Sequence, residues 1–183
     1  GTKAETVGGN VDIQSAAGYL SLSSGTTINV AGDWINHGNF SAGTGSTVNL
    51  NGGDQAIMGT SEFYNLTKQT GTPCTLTFDA DNPTTIDGTM ILSGSSGNLL
   101  SLRKTGSALQ FTLTLATGTG HTLDYLDVKD SSASRWVSAT HSNDSGNNTK
   151  WSFPNSPVYW LGTAGTDFWD NPANWSSGIV PTV

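Results

Sequence analysis

Charge is scarce in this chain of 183 residues: 11% are Asp, Glu, Lys or Arg, and only seven are basic. Those seven form no cluster larger than Arg103-Lys104, and the net charge is −7. Polyanions are gripped mainly by grouped Lys and Arg, so nucleic acid and an anionic membrane surface are excluded as partners. A single cysteine, Cys74, excludes an internal disulfide framework. No run approaches the ~18 apolar residues that a membrane-spanning helix needs. Runs of Ala, Glu, Lys and Leu, the usual material of long helices, are also missing.

Gly, Ser, Thr and Asn together fill about half of the chain, with 23 glycines among them. Thr and Ser suit exposed strand faces, while Asn and Gly suit repeated tight turns. This composition reads as all-β. An acidic surface rich in hydroxyls and amides fits an extracellular or cell-surface protein that has been exported. No leader-like segment opens the chain, so it reads as a mature product or a piece of a longer one.

The strongest signal is a phrase repeated at an offset of 20 residues. Ser24-Gly25-Thr26-Thr27-Ile28-Asn29-Val30-Ala31-Gly32-Asp33 returns as Thr44-Gly45-Ser46-Thr47-Val48-Asn49-Leu50-Asn51-Gly52-Gly53. Each copy places apolar residues at alternate positions, Ile28 and Val30, then Val48 and Leu50, and closes on glycine. One short strand in the same phase every 20 residues predicts stacked coils, a β-solenoid. Further strand-like pieces of three to six residues follow. The clearest is Phe111-Thr112-Leu113-Thr114-Leu115, and Leu123 to Val128 also reads as strand. A β-sandwich is the alternative, but Asn51-Gly52 ends a repeat unit where a sandwich would place a hairpin.

Two prolines in Trp151-Ser152-Phe153-Pro154-Asn155-Ser156-Pro157 mark a boundary. The reading is a solenoid over 1–153 and a Trp-rich segment over 154–183, carrying Tyr159, Trp160, Phe168, Trp169 and Trp175. So short a segment cannot bury three indoles alone, so it is expected to dock on a neighbouring module or subunit. Trp34 and Trp136 are expected to pack at coil corners.

Three phrases resemble the large secreted β-helix surface proteins of bacteria, a group of filamentous-haemagglutinin-like and autotransporter-like adhesin modules. They are Gly45 to Gly52 with Phe63-Tyr64-Asn65-Leu66-Thr67; Leu123 to Ser131 with Asn147 to Phe153; and Tyr159-Trp160-Leu161-Gly162 with Trp169, Asn174-Trp175-Ser176 and Val180-Pro181. The resemblance implies a right-handed parallel β-helix and export, and the third phrase resembles the opening of a next module. It brings no catalytic residues.

Chemistry-bearing clusters are few. Asp124, Asp127 and Asp130 recur every third residue; on one strand Asp124 and Asp130 would share a face. Paired carboxylates serve glycoside hydrolysis, but the pectinase phrases are missing and solvated outer-face positions account for the three. Asp79, Asp81, Asn82 and Asp87 could offer oxygens to Ca²⁺, yet Asp and Asn before Pro83 are also turn formers. His37, His121 and His141 lack metal-ligand spacing. Cys74 reads as a buried, inert thiol. The aromatic tail reads as an interface to copies of the chain or to adjacent modules, or as a platform for surface glycans. The expectation is a non-enzymatic structural protein without cofactor, with a carbohydrate-binding module as the alternative.

Overall fold

The computed structural model describes residues 4–15, 17–154, 160–166 and 168–175. Its strands wind as a β-solenoid of about six turns. The repeated phrase supplies the first complete comparison between coils. Thr27–Val30 (β4) lies on Thr47–Leu50 (β7) in parallel, with Ile28 against Val48 and Val30 against Leu50. The 20-residue offset of the sequence is therefore the length of one turn.

Three sides build each coil. The first side begins with Ala4–Val7 (β1) and continues through β4 and β7. The second side stacks Val11–Ile13 (β2), Trp34–Asn36 (β5), Gln55–Met58 (β8), Cys74–Asp79 (β10), Leu100–Thr105 (β12), Leu126–Val128 (β15) and Asn143–Asp144 (β17). The third side starts with Tyr19–Leu22 (β3) on Asn39–Ala42 (β6). From the third coil on, longer strands round the corner between the third and first sides. Ser61–Gln69 (β9) and Thr84–Ser93 (β11) do so, with their register shifting at the bend. Phe111–Leu115 (β13) and Gly120–Asp124 (β14) both pair with β11; Ser131–Ser138 (β16) and Thr149–Ser152 (β18) complete the stack. All ladders between these strands are parallel. Face-to-face antiparallel layers, the mark of a sandwich, are not the architecture of the described residues.

The alternation along each strand decides what is buried. On the first side Ile28, Val48, Leu66 and Met90 stack in one inner column, and Val30, Leu50, Leu92 and Leu123 lie in a second. Each such side chain, fully buried, contributes roughly 1.5–3 kcal/mol. Phe78 stacks on Phe111 at 4.5 Å, and Trp34 meets Phe40 and Phe63 edge-on at 4.7 and 5.3 Å. The turns need glycine where the chain reverses: Gly25 and Gly45, equivalent positions of the repeat, both have positive φ (69° and 75°).

Two expectations are corrected. Leu123 to Val128 is not one strand, because Tyr125 sits at φ 52° and turns the chain from the first side to the second. Trp34 opens β5 directly after the bend at Ala31 and Gly32 and is fully buried, with its Nε1 donating to Ser61 Oγ at 3.0 Å, whereas Trp136 is 71% exposed and does not pack. An indole pointing outward on β16 has no core to reach, since Val137 takes the inward position beside it.

Candidate functional site

The corner at Tyr125 separates the three aspartates. Asp124 ends β14, Asp127 lies on β15, and Asp130 (φ 58°) occupies the following corner. The expected sharing of a face by Asp124 and Asp130 does not arise, because no single strand carries both. Each carboxylate has its own local partners. Asp124 accepts from Thr140 Oγ1 at 2.7 Å and lies 2.8 Å from His141 Nδ1. Asp127 pairs with Arg103 and accepts from Ser145, and Asp130 accepts from Asn147 Nδ2 at 2.8 Å. Partial burial raises the Asp124 pKa, but its bonds from Thr140 and His141 outweigh that and hold it below the ordinary range. A carboxyl whose pKa is lowered and which is bonded to the next coil is poorly suited to donate a proton.

The Asp79 loop is likewise knitted internally. Asp79 Oδ2 accepts from Gly59 N at 3.0 Å and Asn82 Nδ2 at 2.8 Å, while its Oδ1 accepts from Asp81 N at 3.0 Å. Asp81 reaches the next coil, accepting from Ser107 N, Ser107 Oγ and Ala108 N. Asp87 lies apart from these, beside Glu62; its hydrogen bond and charge push the Glu62 carboxyl up. Among the described residues, no group of three or more His, Cys, Asp or Glu is gathered to hold an ion.

Cys74 is buried at the start of β10. Close to it lies a residue that the sequence did not single out. Lys68 is fully buried on β9, paired with Leu92 in the second inner column of the first side. Lys68 shares the inward phase of Leu66 two residues before it, but a lysine at such a position is more often read as solvent-facing.

The aromatic segment closes on itself. Asn174, fully buried, donates from Nδ2 to Thr166 O at 2.7 Å and Phe168 O at 3.1 Å, and its Oδ1 accepts from Ala164 N at 3.0 Å. Trp175 Nε1 donates to Trp169 O at 2.8 Å. Its ring stands edge-on to Trp160 and Trp169, at 5.1 and 4.3 Å. One indole of the three is thereby buried; Trp169 stays 58% exposed and Phe168 68%. Tyr159 lies outside the described residues.

Two surfaces remain. At one end of the rod, β1, β2 and β3 each have a strand neighbour on one side only among the described residues. Along the wall of the first side run two outward columns. One is Ala4–Thr27–Thr47–Asn65–Thr89–Gly120, the other Thr6–Asn29–Asn49–Thr67–Ile91–Thr122. Asn49 Nδ2 donates to Asn29 Oδ1 at 2.8 Å, and Asn65 Oδ1 accepts from Thr89 N at 2.8 Å.

No family model, no curated protein and no solved structure matches the chain.

Proposed function

We propose that this is a non-enzymatic extracellular structural protein, an adhesin module or surface-fibre subunit joined end to end through β-strand and aromatic contacts. The observation that carries the reading is the strand edge at the first coil. A parallel solenoid gains stability from each neighbouring coil, and the bare N–H and C=O groups of an edge are a template for another strand. Among the described residues, strands β1, β2 and β3 offer such edges on all three sides at once. The partner is a further coil, from an adjacent module of a longer chain or from another copy. The acidic, hydroxyl-rich exterior suits export and a life at the cell surface. Electron microscopy and light scattering across a concentration series test this: end-to-end oligomers or filaments are expected, and strictly monomeric particles at high concentration overturn self-assembly.

The exposed rings of Phe168 and Trp169 favour a second reading, a carbohydrate-binding module. Aromatic faces held rigid by a buried Trp175 would stack on sugar rings. A saturable change in Trp fluorescence with soluble glycans supports that reading, and an unchanged spectrum removes it.

A further inference from the structure

We propose that the outer wall of the first side binds the surface of ice. The inference uses the wall of the rod and not its ends, so it stands apart from end-to-end joining.

The two outward columns contain twelve positions, six in each, and none is ionisable. Nine of the twelve are Thr or Asn, by count of the two columns. Most charge stands elsewhere: Asp12, Asp79, Arg103 and Asp127 lie on the second side and Glu62 on the third, while the first side carries Glu5 in the phase of the inner column and Asp124 at its far edge beside Ser93, both outside the two columns. The two neutral columns complement a neutral crystal face. Ionic side chains would hold hydration shells of their own and break any continuous water lattice.

Spacing supplies the second argument. Register along this wall runs unbroken from β1 to β14. Equivalent groups therefore recur about every 4.7–4.9 Å across strands and about every 6.6–6.8 Å along them. The first repeat is close to the oxygen repeat along the a axis of ice, and the second is within about a tenth of the c-axis repeat. Each Thr presents a hydroxyl to hydrogen-bond lattice water and a methyl that orders the water around it. The array is already fixed: Asn49 is bonded to Asn29, Asn29 Nδ2 to Glu5 O at 3.3 Å, and Asn65 Nδ2 to Thr47 Oγ1 at 3.3 Å. Rigid side chains lose little entropy on docking.

The test is partition of the purified chain into a slowly growing ice front, with crystal shape and freezing hysteresis read in parallel. Enrichment in ice over a folded control protein, with faceted crystals, is expected. Thr67→Lys should drop incorporation to the control level while circular dichroism and Tm stay unchanged. Thr67→Val, which keeps the methyl, should retain part of it. Thr77→Lys, on the outer face of the second side, should behave as the parent protein. Exclusion of the parent protein from ice overturns the proposal, and so does a Thr67→Lys variant that partitions normally. Retention on microcrystalline cellulose with exclusion from ice would also overturn it. Should Thr67→Lys fail to fold, Thr27→Lys carries the same expectation. A chain that stays monomeric in electron microscopy refutes end-to-end joining and leaves this result unaffected.

Discussion

Lys68 Nζ donates to Gln55 Oε1 at 2.7 Å, with both side chains buried between coils. The same ammonium donates to Gly52 O at 3.0 Å and Gly53 O at 2.8 Å, so its three donors are all engaged. Gln55 completes the arrangement: its Oε1 accepts from Gly52 N at 2.9 Å and its Nε2 donates to Val30 O at 2.9 Å and to Gly32 O. One corner of the solenoid is thus held by a polar plug, not by an aliphatic side chain.

Removing the plug should be costly. Lys68→Met leaves two corner carbonyls without their donor and is expected to destabilise by about 1–3 kcal/mol. Lys68→Ala adds a cavity and should cost about 2–5 kcal/mol. Burial pushes the Lys68 pKa below its ordinary 10.5, against the pull of Cys74 and Asp54. The unfolded chain then binds more protons between the lowered value and 10.5, so stability rises with pH across that window. Denaturant melts from neutral to alkaline pH should show that slope in the parent protein, and Lys68→Met should flatten it.

Coil length was legible because the repeat puts Ile28 on Val48 and Val30 on Leu50, where identical phases bury identical positions. Lys68 was not legible. Its neighbours Leu66 and Thr67 announce a strand, but a lysine there is usually solvent-facing, and the carbonyls of Gly52 and Gly53 together with Gln55 Oε1 hold it inside. The corner at Tyr125 was hidden for a related reason, since an aromatic residue gives no warning of positive φ. Of the aromatic tail, composition showed that three indoles could not all be buried. That Asn174 would organise it depends on hydrogen bonds closing a loop of 6 to 10 residues, which has no strand or helix period to read.

Trp34 and Trp136 should differ sharply on truncation. Trp34→Ala removes a ring fully buried against Phe40 and Phe63 and leaves Ser61 Oγ without its indole donor, for a loss of about 3–5 kcal/mol. Trp136→Ala, at a 71% exposed site, should fall within about 0.5 kcal/mol of the parent protein. Chemical denaturation of both variants checks the contrast.

Glu62 and Asp87 crowd two carboxyls together on the outer surface, and Asp87 raises the Glu62 pKa by its hydrogen bond and its charge. A carboxyl raised in the fold is more easily protonated there than in the unfolded chain. Its stabilising effect is therefore present at low pH and lost as pH rises through the folded value. Glu62→Gln should relieve the repulsion and raise stability at pH 7 by a few tenths of a kcal/mol, since the pair is largely solvated. The gain should vanish near pH 4, as Tm measured against pH would show.

Adjacent glycines at the plugged corner provide the sharpest test of coil-on-coil packing. A Cβ on Gly52 would sit 1.9 Å from Ala31 O, the backbone of the coil before, and 3.1 Å from Gln55 Cδ. Neither can withdraw freely: Ala31 N is bonded to Val7 O at 3.0 Å, and Gln55 is held by Lys68. Gly52→Ala must therefore push two coils apart and should cost about 1–3 kcal/mol. Gly53 faces open space and needs no positive φ, so Gly53→Ala should change stability by less than about 0.5 kcal/mol. Equal Tm values for the two variants would mean that the coils are not in van der Waals contact at this corner.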